Sequence, residues 1–427
     1  MLSIKNFKLN NLIILNLFIS TLPLSLILGN LATNFNIILI CLFGVTNYGN
    51  KLFLIKNRTY QFLIYSFFLY LILTTAINNL PLVNIDNLYK DHLIKSFFYL
   101  RYLLLFLIIN KLLENNEFNT RIFFISCSFF GFVVSVDTAI QYIFKKNLIG
   151  YPLYNGLRAT SFFKEELVVG GYIQKFIIFF IFYLVSLKKN IKYNKITIII
   201  LFAIFSIPIF FSLNRMPLVL YVMAFILYFV LEKKFKEILL ILTLLISISI
   251  LVVNFFDNKR VKSDFLKFKS EISSIVKNSP KLFFEINNNY HEKSSYLRHF
   301  NTGVKIWKEN KIFGNGLKSF RLKCTYEQNQ TCNSHPHNYF IELLVDVGLV
   351  GLSFIYLIFF IGAFNFIRNY YAQTNAQIKI IQVVFFLLIF LEFFPFRSSG
   401  SFFTTSVSTF VFLILPIFLN IEKIKSV

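Results

Sequence analysis

The sequence is poor in acidic residues. Its 427 residues include 20 Asp and Glu against 43 Lys and Arg, which gives a formal net charge of +23. Such a charge is compatible with nucleic-acid binding. Much of it, however, falls in short segments between long apolar runs, where basic residues set the orientation of membrane spans. The charge therefore favours a membrane protein, and no nucleic-acid partner is expected.

Linkers, repeats and a cleavage site are also missing. The chain has no Ser/Gly-rich linker and no internal repeat, so a single membrane domain over residues 1–427 is predicted. Lys5 and Lys8 precede an apolar stretch from Leu12 to Leu28, as in a signal peptide. No small-residue cleavage site follows, and a second apolar run begins almost at once. The stretch is therefore predicted to remain as a first span.

Cysteine is scarce, with four in the chain. The first two lie in apolar runs, where cysteine packs as a small apolar side chain. Cys324 and Cys332 share one polar segment and would form a disulfide bond if that segment is exported. A metal site built from these cysteines with His335 and His337 is an alternative, but their spacing is not a familiar zinc pattern. Neither a metal nor another cofactor is expected.

Apolar residues make up more than half of the chain. The chain is 56% hydrophobic and 19% aromatic, with a mean hydropathy of +0.65. Runs of about twenty apolar residues can cross a bilayer core of about 30 Å. An all-α polytopic membrane protein is predicted, because lipid-exposed backbone must be helical here. About twelve spans are expected, near residues 11–29, 31–48, 60–79, 94–113, 121–143, 169–187, 195–213, 216–232, 237–255, 345–367, 378–395 and 403–420.

The short segments after even-numbered spans are the basic ones. By the positive-inside rule they are cytoplasmic, and both termini are predicted to lie inside. Residues 256–340 are then a large outer loop between spans nine and ten. An amphipathic helix from Ser294 to Asn310 is expected in it. A loop of this length exceeds what a connector needs, which favours a function for it.

Two histidines stand where this loop runs into an apolar segment. Pro336 disfavours helix at His335, so a helix is predicted to begin near Asn338. A histidine at a membrane–water boundary can exchange a proton near neutral pH. His337 is therefore the candidate general base, with Asn338 orienting it or the substrate. A surface histidine beside a helix start is the simpler alternative.

Arginines on the outer side are the candidate anion ligands, because a guanidinium stays charged and offers a fork of donors suited to phosphate. Arg215 lies in a short outer turn and Arg298 on the amphipathic helix; both are assigned to the catalytic centre. Arg158 and Arg397 are expected to contact phosphate or sugar. Arg101 lies inside the fourth span and should face a cavity or a partner; it is also assigned to substrate binding. Each could instead be an exposed or snorkelling side chain.

Two carboxylates inside spans accompany these arginines. Asp137 in the fifth span is a candidate partner for Arg101, and Glu392 in the eleventh has no assigned partner. Arginines around a histidine could hold a diphosphate leaving group while the histidine deprotonates an acceptor hydroxyl. That combination suits transfer of a glycan from a lipid diphosphate.

The histidine segment also carries a family pattern. H-N-x(5)-L-x-D-x-G-x-x-G-L, from His337 to Leu352, resembles a motif of the O-antigen ligase and polymerase family, with Asp346 where that family more often has Glu. An upstream stretch is similar too, with Lys311 where proline is common, and Arg215 stands in a matching S-L-N-R-M-P segment. The similarity extends from about residue 130 to 405. The matching upstream residues are Arg298, Trp307, Gly314, Gly316 and Phe320.

The resemblance implies a metal-independent membrane glycosyltransferase of GT-C-like fold in the bacterial inner (plasma) membrane. Its donor would be an undecaprenyl-diphosphate-linked glycan, with the diphosphate bound by Arg215 and Arg298. His337 would activate a sugar hydroxyl of lipid A-core, or of another glycan acceptor, at the periplasmic face. Polymerases of the same superfamily join repeat units, and other relatives glycosylate proteins. The ligase is preferred because the histidine motif and paired arginines match it best.

Two other classes compete with this interpretation. A twelve-helix transporter would also have buried charges, but the chain lacks repeated halves and its long loop falls late. A non-catalytic glycan-binding or assembly protein would tolerate replacement of His337 by Ala, whereas an enzyme would not.

Overall fold

The fold is that of a computed structural model, which describes residues 2–82, 87–187, 194–255, 295–324 and 332–424. These residues form sixteen α-helices and no β-strand. The helices, numbered in chain order, are α1 Leu2–Ser20, α2 Leu22–Leu28, α3 Asn30–Tyr48, α4 Arg58–Asn79, α5 Asn87–Phe98, α6 Leu100–Glu114, α7 Thr120–Phe144, α8 Val169–Ser186, α9 Asn194–Phe211, α10 Arg215–Leu231, α11 Phe235–Phe255, α12 Ser295–Glu309, α13 Ser319–Lys323, α14 Tyr339–Ala372, α15 Ala376–Glu392 and α16 Thr405–Leu419.

Several of these helices can cross a membrane. Within the described residues, six are long and apolar enough: Asn30–Phe53, Arg58–Asn79, Tyr89–Glu114, Thr120–Phe144, Val169–Ser186 and Tyr339–Ala372. Asn11–Ser20 and Leu22–Leu28, bent by 47°, form a seventh if they count as one span. Three shorter apolar helices lie at Lys195–Phe211, Arg215–Leu231 and Thr405–Leu419. The polytopic helical class is confirmed, while the number twelve stays a prediction.

Asparagine side chains begin four of the helices. The side-chain oxygens of Asn57, Asn119, Asn338 and Asn375 accept hydrogen bonds from backbone N–H groups in the first turns of α4, α7, α14 and α15. Such a cap satisfies donors that have no partner inside the helix, and its loss costs about 1 kcal/mol. The start of α14 at Tyr339, with Asn338 as cap, agrees with the predicted start near Asn338.

A small apolar cluster attaches α12 to the membrane bundle. Leu297, Phe300 and Val304 on one side of α12 pack against Ile341 and Val345 near the start of α14. This is the amphipathic helix expected between Ser294 and Asn310. Residues 256–294 and 325–331 of the predicted outer loop lie outside the described residues.

Side-chain contacts define two ends of the bundle. At one end, the last turn of α14 meets the end of α10 through Tyr370 and Glu232. The ends of α16 and α6 also meet, where Asn420 Nδ2 lies 2.8 Å from Asn110 Oδ1. We call this the basic end. Its lysines include Lys56, Lys111, Lys195, Lys234 and Lys379.

The opposite end, the histidine end, holds the starts of α10, α14 and α16. The start of α14 is tied to the segment before α16 where Phe402 N donates to Glu342 Oε2 at 2.6 Å. Because α10, α14 and α16 run in parallel, Arg215 and His337 lie at the same end. A cavity of about 250 Å³ lies at the basic end, between Lys195, Glu232 and Lys379. It is therefore at the end opposite to His337.

Candidate active site at the histidine end

His337 has a strained backbone. Its φ is 58°, in the left-handed region that residues other than glycine rarely adopt. Its carbonyl oxygen accepts a hydrogen bond of 2.8 Å from Ser399 N. Such conformations persist where the surrounding structure enforces them, and they concentrate at functional sites.

Asn338 links the histidine to the segment between α15 and α16. Its Oδ1 accepts from Ile341 N at 2.9 Å, and its Nδ2 donates to the carbonyls of Pro395 at 2.7 Å and Arg397 at 2.9 Å. We call residues 395–401 the 395–401 turn. The amide of Asn338 is buried and engaged within the protein, so the structure favours orientation of His337 over direct contact with a substrate.

The imidazole of His337 lies in a cluster of rings. Ring centroids are 4.3 Å away for His335, 4.9 Å for His299 and 6.1 Å for Tyr296. Asn333 Nδ2 lies 2.8 Å from His337 Nε2. These five residues are the histidine cluster. With Asn333 as donor, Nε2 is the proton-accepting nitrogen of a neutral imidazole.

Burial keeps this imidazole neutral. It lowers the pKa of His337 below 6.5, and the neighbouring His299 lowers it further, while a hydrogen bond with the backbone of Ser399 opposes them. Burial also lowers the pKa of His335, to about 4. A neutral imidazole at pH 7 can accept a proton, which a general base requires.

Glu342 and Asp346 are buried on the same side of α14 as Asn338. Glu342 accepts hydrogen bonds from Ser401 Oγ and from Phe402 N. Asp346 accepts from Lys318 N at 2.7 Å, Ser319 N at 3.0 Å and Ser319 Oγ at 2.7 Å. These two carboxylates therefore hold two segments in place around the histidine.

A break in α14 brings the preceding loop against it. Gly348 has φ 60° and ψ −167°, so the helix is interrupted there. Leu349 N donates to Lys311 O at 3.0 Å, Val350 N to Ile312 O at 3.2 Å, Asn315 N to Val345 O at 2.9 Å and Gly316 N to Asp346 O at 2.8 Å. The loop thus replaces the partners that the break removes.

Glycine is required where these two segments meet. A Cβ on Gly314 would lie 2.6 Å from Asp346 O, and one on Gly348 would lie 2.5 Å from Gly314 N. Both glycines have positive φ. The approach of the two backbones explains why glycines recur in this part of the motif.

Arg397 is turned inward. Its Nη1 lies 3.3 Å from Glu392 Oε2 and donates to Leu391 O at 2.9 Å, and its guanidinium lies 4.8 Å from the ring centroid of Tyr339. Glu392 also pairs with Lys175 on α8 at 2.9 Å. The carboxylate that had no assigned partner thus has two, while contact of Arg397 with substrate stays a prediction.

Arg215 and Arg158 lie near each other in the fold. Arg215 is the first residue of α10, and the preceding Asn214 donates to Leu167 O at 2.9 Å. The segment containing Arg158 reaches the end of α9, where Ala159 N donates to Phe211 O at 3.1 Å. Both arginines are half-buried, and the segments that carry them meet near the turn between α9 and α10.

Arg298 lies on α12, next to His299. Because His299 contacts His337, the outer helix folds back onto the histidine, as the role assigned to Arg298 requires. The side chain of Arg298 is exposed to solvent. Its guanidinium is therefore accessible to a charged ligand.

The pairing of Arg101 with Asp137 was predicted wrongly. Arg101 donates to Phe98 O and Tyr102 Oη, each at 3.0 Å. Asp137 instead accepts from Leu148 N at 2.9 Å and from Asn147 Nδ2 at 3.3 Å. Hydrogen-bond donors from the segment just after α7 therefore satisfy Asp137. Assignment of residues to spans does not reveal such a contact.

Cys324 and Cys332 are joined by a disulfide bond, with Cα atoms 5.5 Å apart. Neither sulfur is then a thiolate, so the metal site considered with His335 and His337 does not form in this state. Over the described ranges, no group of three or more His, Cys, Asp or Glu side chains could hold a metal ion.

Sequence reasoning missed three residues: two members of the histidine cluster and the lysine that pairs with Glu392. His299 directly follows Arg298, and its place on the buried edge of an amphipathic helix was the available signal. Asn333 follows Cys332, whose disulfide restrains the segment. Lys175 lies in an apolar helix, where a lone lysine calls for a partner.

These features define a multi-pass helical membrane protein with a neutral histidine and several arginines at one end of its bundle. Residues 199–356 match the family model described as O-antigen ligase. This match confirms the predicted resemblance to the O-antigen ligase family and supports a glycosyltransferase-like enzyme in the general sense. No curated protein matches the chain. The matched stretch includes Arg215, Arg298 and His337 and is shorter than the predicted range of about 130–405.

Proposed function

We propose that the chain is an O-antigen ligase-like glycosyltransferase. It transfers a glycan from undecaprenyl diphosphate to a sugar hydroxyl of lipid A-core. The observation that carries the proposal is the neutral, half-buried imidazole of His337, held in a left-handed conformation within the histidine cluster.

The proposed chemistry assigns one proton transfer to His337. Its Nε2 takes the proton of the acceptor hydroxyl, in the position that Asn333 occupies here. The hydroxyl oxygen then forms a bond to the anomeric carbon of the glycan, and the bond from that carbon to the diphosphate oxygen breaks. Undecaprenyl diphosphate leaves with the bonding electrons. A positioned base of this kind contributes about 10²- to 10⁴-fold to the rate.

Arginines stabilise the leaving diphosphate in this proposal. Arg215 and Arg298 are the first assignments, and Arg158 is a further candidate because its segment contacts the end of α9 near Arg215. Their guanidinium groups offer paired donors to phosphate oxygens, where charge develops as the bond breaks. Arg101 and Arg397 are engaged with groups of the protein itself, so their contacts with substrate are secondary to this assignment.

The proposed orientation places the histidine end in the periplasm and both termini in the cytoplasm of the bacterial inner membrane. The lysines in short segments at the basic end, such as Lys234, support it, because basic residues in short loops between spans favour the cytoplasmic side. Lipid-linked donor and lipid A-core would then meet at the outer leaflet. No nucleic acid and no metal take part.

The test uses purified protein in detergent with an undecaprenyl-diphosphate glycan, lipid A-core and EDTA. We expect transfer in wild type and a loss of about 100-fold or more in His337→Ala. His335→Ala, which removes a neighbouring imidazole not assigned to proton transfer, is the matched control. Chain growth on the donor alone would indicate a polymerase, and transfer to a protein acceptor an oligosaccharyltransferase. No transfer in any of the three assays would refute the proposal and favour a transporter.

A further inference from the structure

Three buried charges meet between α8, α15 and the 395–401 turn. The side chains of Lys175, Glu392 and Arg397 are 13%, 2% and 8% exposed. Glu392 lies 2.9 Å from Lys175 Nζ and 3.3 Å from Arg397 Nη1. We call them the buried triad. Buried charges are stable only when paired, and removal of the shared partner leaves two like charges together.

Arg397 connects the buried triad to the histidine. Its carbonyl oxygen accepts from Asn338 Nδ2 at 2.9 Å, and its guanidinium faces the ring of Tyr339, the first residue of α14. Two residues further on, Ser399 N donates to the carbonyl of His337 at 2.8 Å. The contacts from Glu392 to the backbone of His337 therefore pass through one arginine and one short turn.

We propose that Glu392 is a positioning residue for the proposed reaction. Its carboxylate anchors Arg397, Arg397 anchors the 395–401 turn, and the turn holds His337 in its left-handed conformation. As a kinetic claim this rests on the proposed function, because His337 must be the base whose position matters. Lys175 balances the charge of Glu392 but is not part of the link to the histidine.

The strained backbone of His337 explains why the 395–401 turn must be anchored. A left-handed backbone is unfavourable for a residue with a Cβ, so His337 relaxes if the hydrogen bond from Ser399 is released. Relaxation rotates the peptide and moves the imidazole away from the acceptor position. A displacement of about 1 Å at a reacting group can cost about 100-fold in rate.

A pair of variants separates the anchor from the charge balance. Lys175→Met leaves Glu392 paired with Arg397. Adding Glu392→Gln to it leaves Arg397 alone, so the triad keeps the net charge of +1 that it has in wild type but lacks the carboxylate. We expect kcat within about threefold of wild type for the single variant. We expect a fall of tenfold or more, up to about 100-fold, for the double variant, with a smaller change in KM.

A second readout does not depend on activity. Diethyl pyrocarbonate modifies neutral imidazoles, and mass spectrometry follows the rate at each histidine. We expect faster modification of His337 in the double variant than in Lys175→Met. His92 is the internal reference, because it is buried in α5 with Nδ1 3.0 Å from Leu317 O, and its rate should not change.

Glu392→Asp keeps the proposal testable if the double variant does not fold. It keeps the charge balance and shortens the side chain by one methylene, so it weakens the anchor without leaving a buried charge unpaired. An intermediate loss of kcat with faster labelling of His337 is expected. Wild-type kcat and labelling in Glu392→Asp, or equal values in the single and double variants, would overturn the proposal. If wild type transfers no glycan, the proposed function fails, but the labelling rates still decide whether Glu392 positions His337.

Discussion

Replacement of Gly348 by Ala tests the break in α14 directly. The added Cβ would have to occupy a left-handed backbone position 2.5 Å from Gly314 N. If the helix keeps its conformation, backbone strain costs about 1–2 kcal/mol and the overlap about 1–3 kcal/mol more. If the loop moves away, four backbone hydrogen bonds of about 0.5–1.5 kcal/mol each are lost. The first route predicts a destabilisation of about 2–5 kcal/mol and the second about 2–6 kcal/mol.

The single tryptophan offers a local assay for this change. Trp307 Nε1 donates to Lys311 O at 3.0 Å, and the same carbonyl accepts from Leu349 N just after the break. Its fluorescence in detergent should therefore report on the loop during thermal unfolding. Gly348→Ala should lower the transition midpoint and shift the emission towards that of exposed tryptophan.

Gly171→Ala is the matched control. Gly171 lies in the first turn of α8, and a Cβ there would meet no atom within 4 Å. Alanine is favoured over glycine in a helix by about 0.5–1 kcal/mol, so the control should be neutral or slightly stabilising. Equal midpoints and emission for the two variants would refute the account of the break.

Three further outcomes are expected. Asn338→Asp keeps the cap of α14 but loses both hydrogen-bond donors to the 395–401 turn. Glycan transfer should therefore fall tenfold or more, while the helix content by circular dichroism stays unchanged. Full activity would argue against the orienting role of Asn338. Because burial lowers the pKa of His337 and the neighbouring His299 lowers it further, the rate should decline only below pH 6.5. His299→Ala should raise the pKa of His337 and move the decline to higher pH; an unshifted profile would exclude this coupling. Breaking the Cys324–Cys332 bond with dithiothreitol should cost about 2–4 kcal/mol of stability, with no such effect on a variant carrying serine at both positions.

Local features of the site were readable from the sequence. Pro336 and Asn338 mark the start of α14 because one disfavours helix and the other caps it. The apolar spacing of Leu297 and Val304 predicts a helix with one buried side. Each of these depends on interactions within a few residues, which residue type and spacing encode directly.

Contacts between distant segments were not readable in this way. Glu392 and Lys175 lie on different helices, and nothing in either helix specifies the other as a partner. The break at Gly348 lies inside a long apolar run, where hydropathy predicts a continuous span. His299 contacts His337 only because α12 packs on α14.

The lengths of the helices explain the uncertain span count. Lys195–Phe211, Arg215–Leu231 and Thr405–Leu419 are apolar but shorter than the helices that pass the length criterion. Apolar runs in the sequence extend beyond them into turns, as at Leu213, which has a positive φ. A run of apolar residues therefore overestimates the length of the helix that it forms.

The hydrogen bond from Ser399 to His337 also bears on biosynthesis. The chain enters the membrane from its N-terminus, so in the proposed orientation His337 is exported before α15 and the 395–401 turn have left the ribosome. Until those last residues are inserted, no partner holds the histidine in its strained conformation. A nascent or truncated chain therefore carries the base without its support, and catalytic competence is expected to appear only when the final pair of helices is complete.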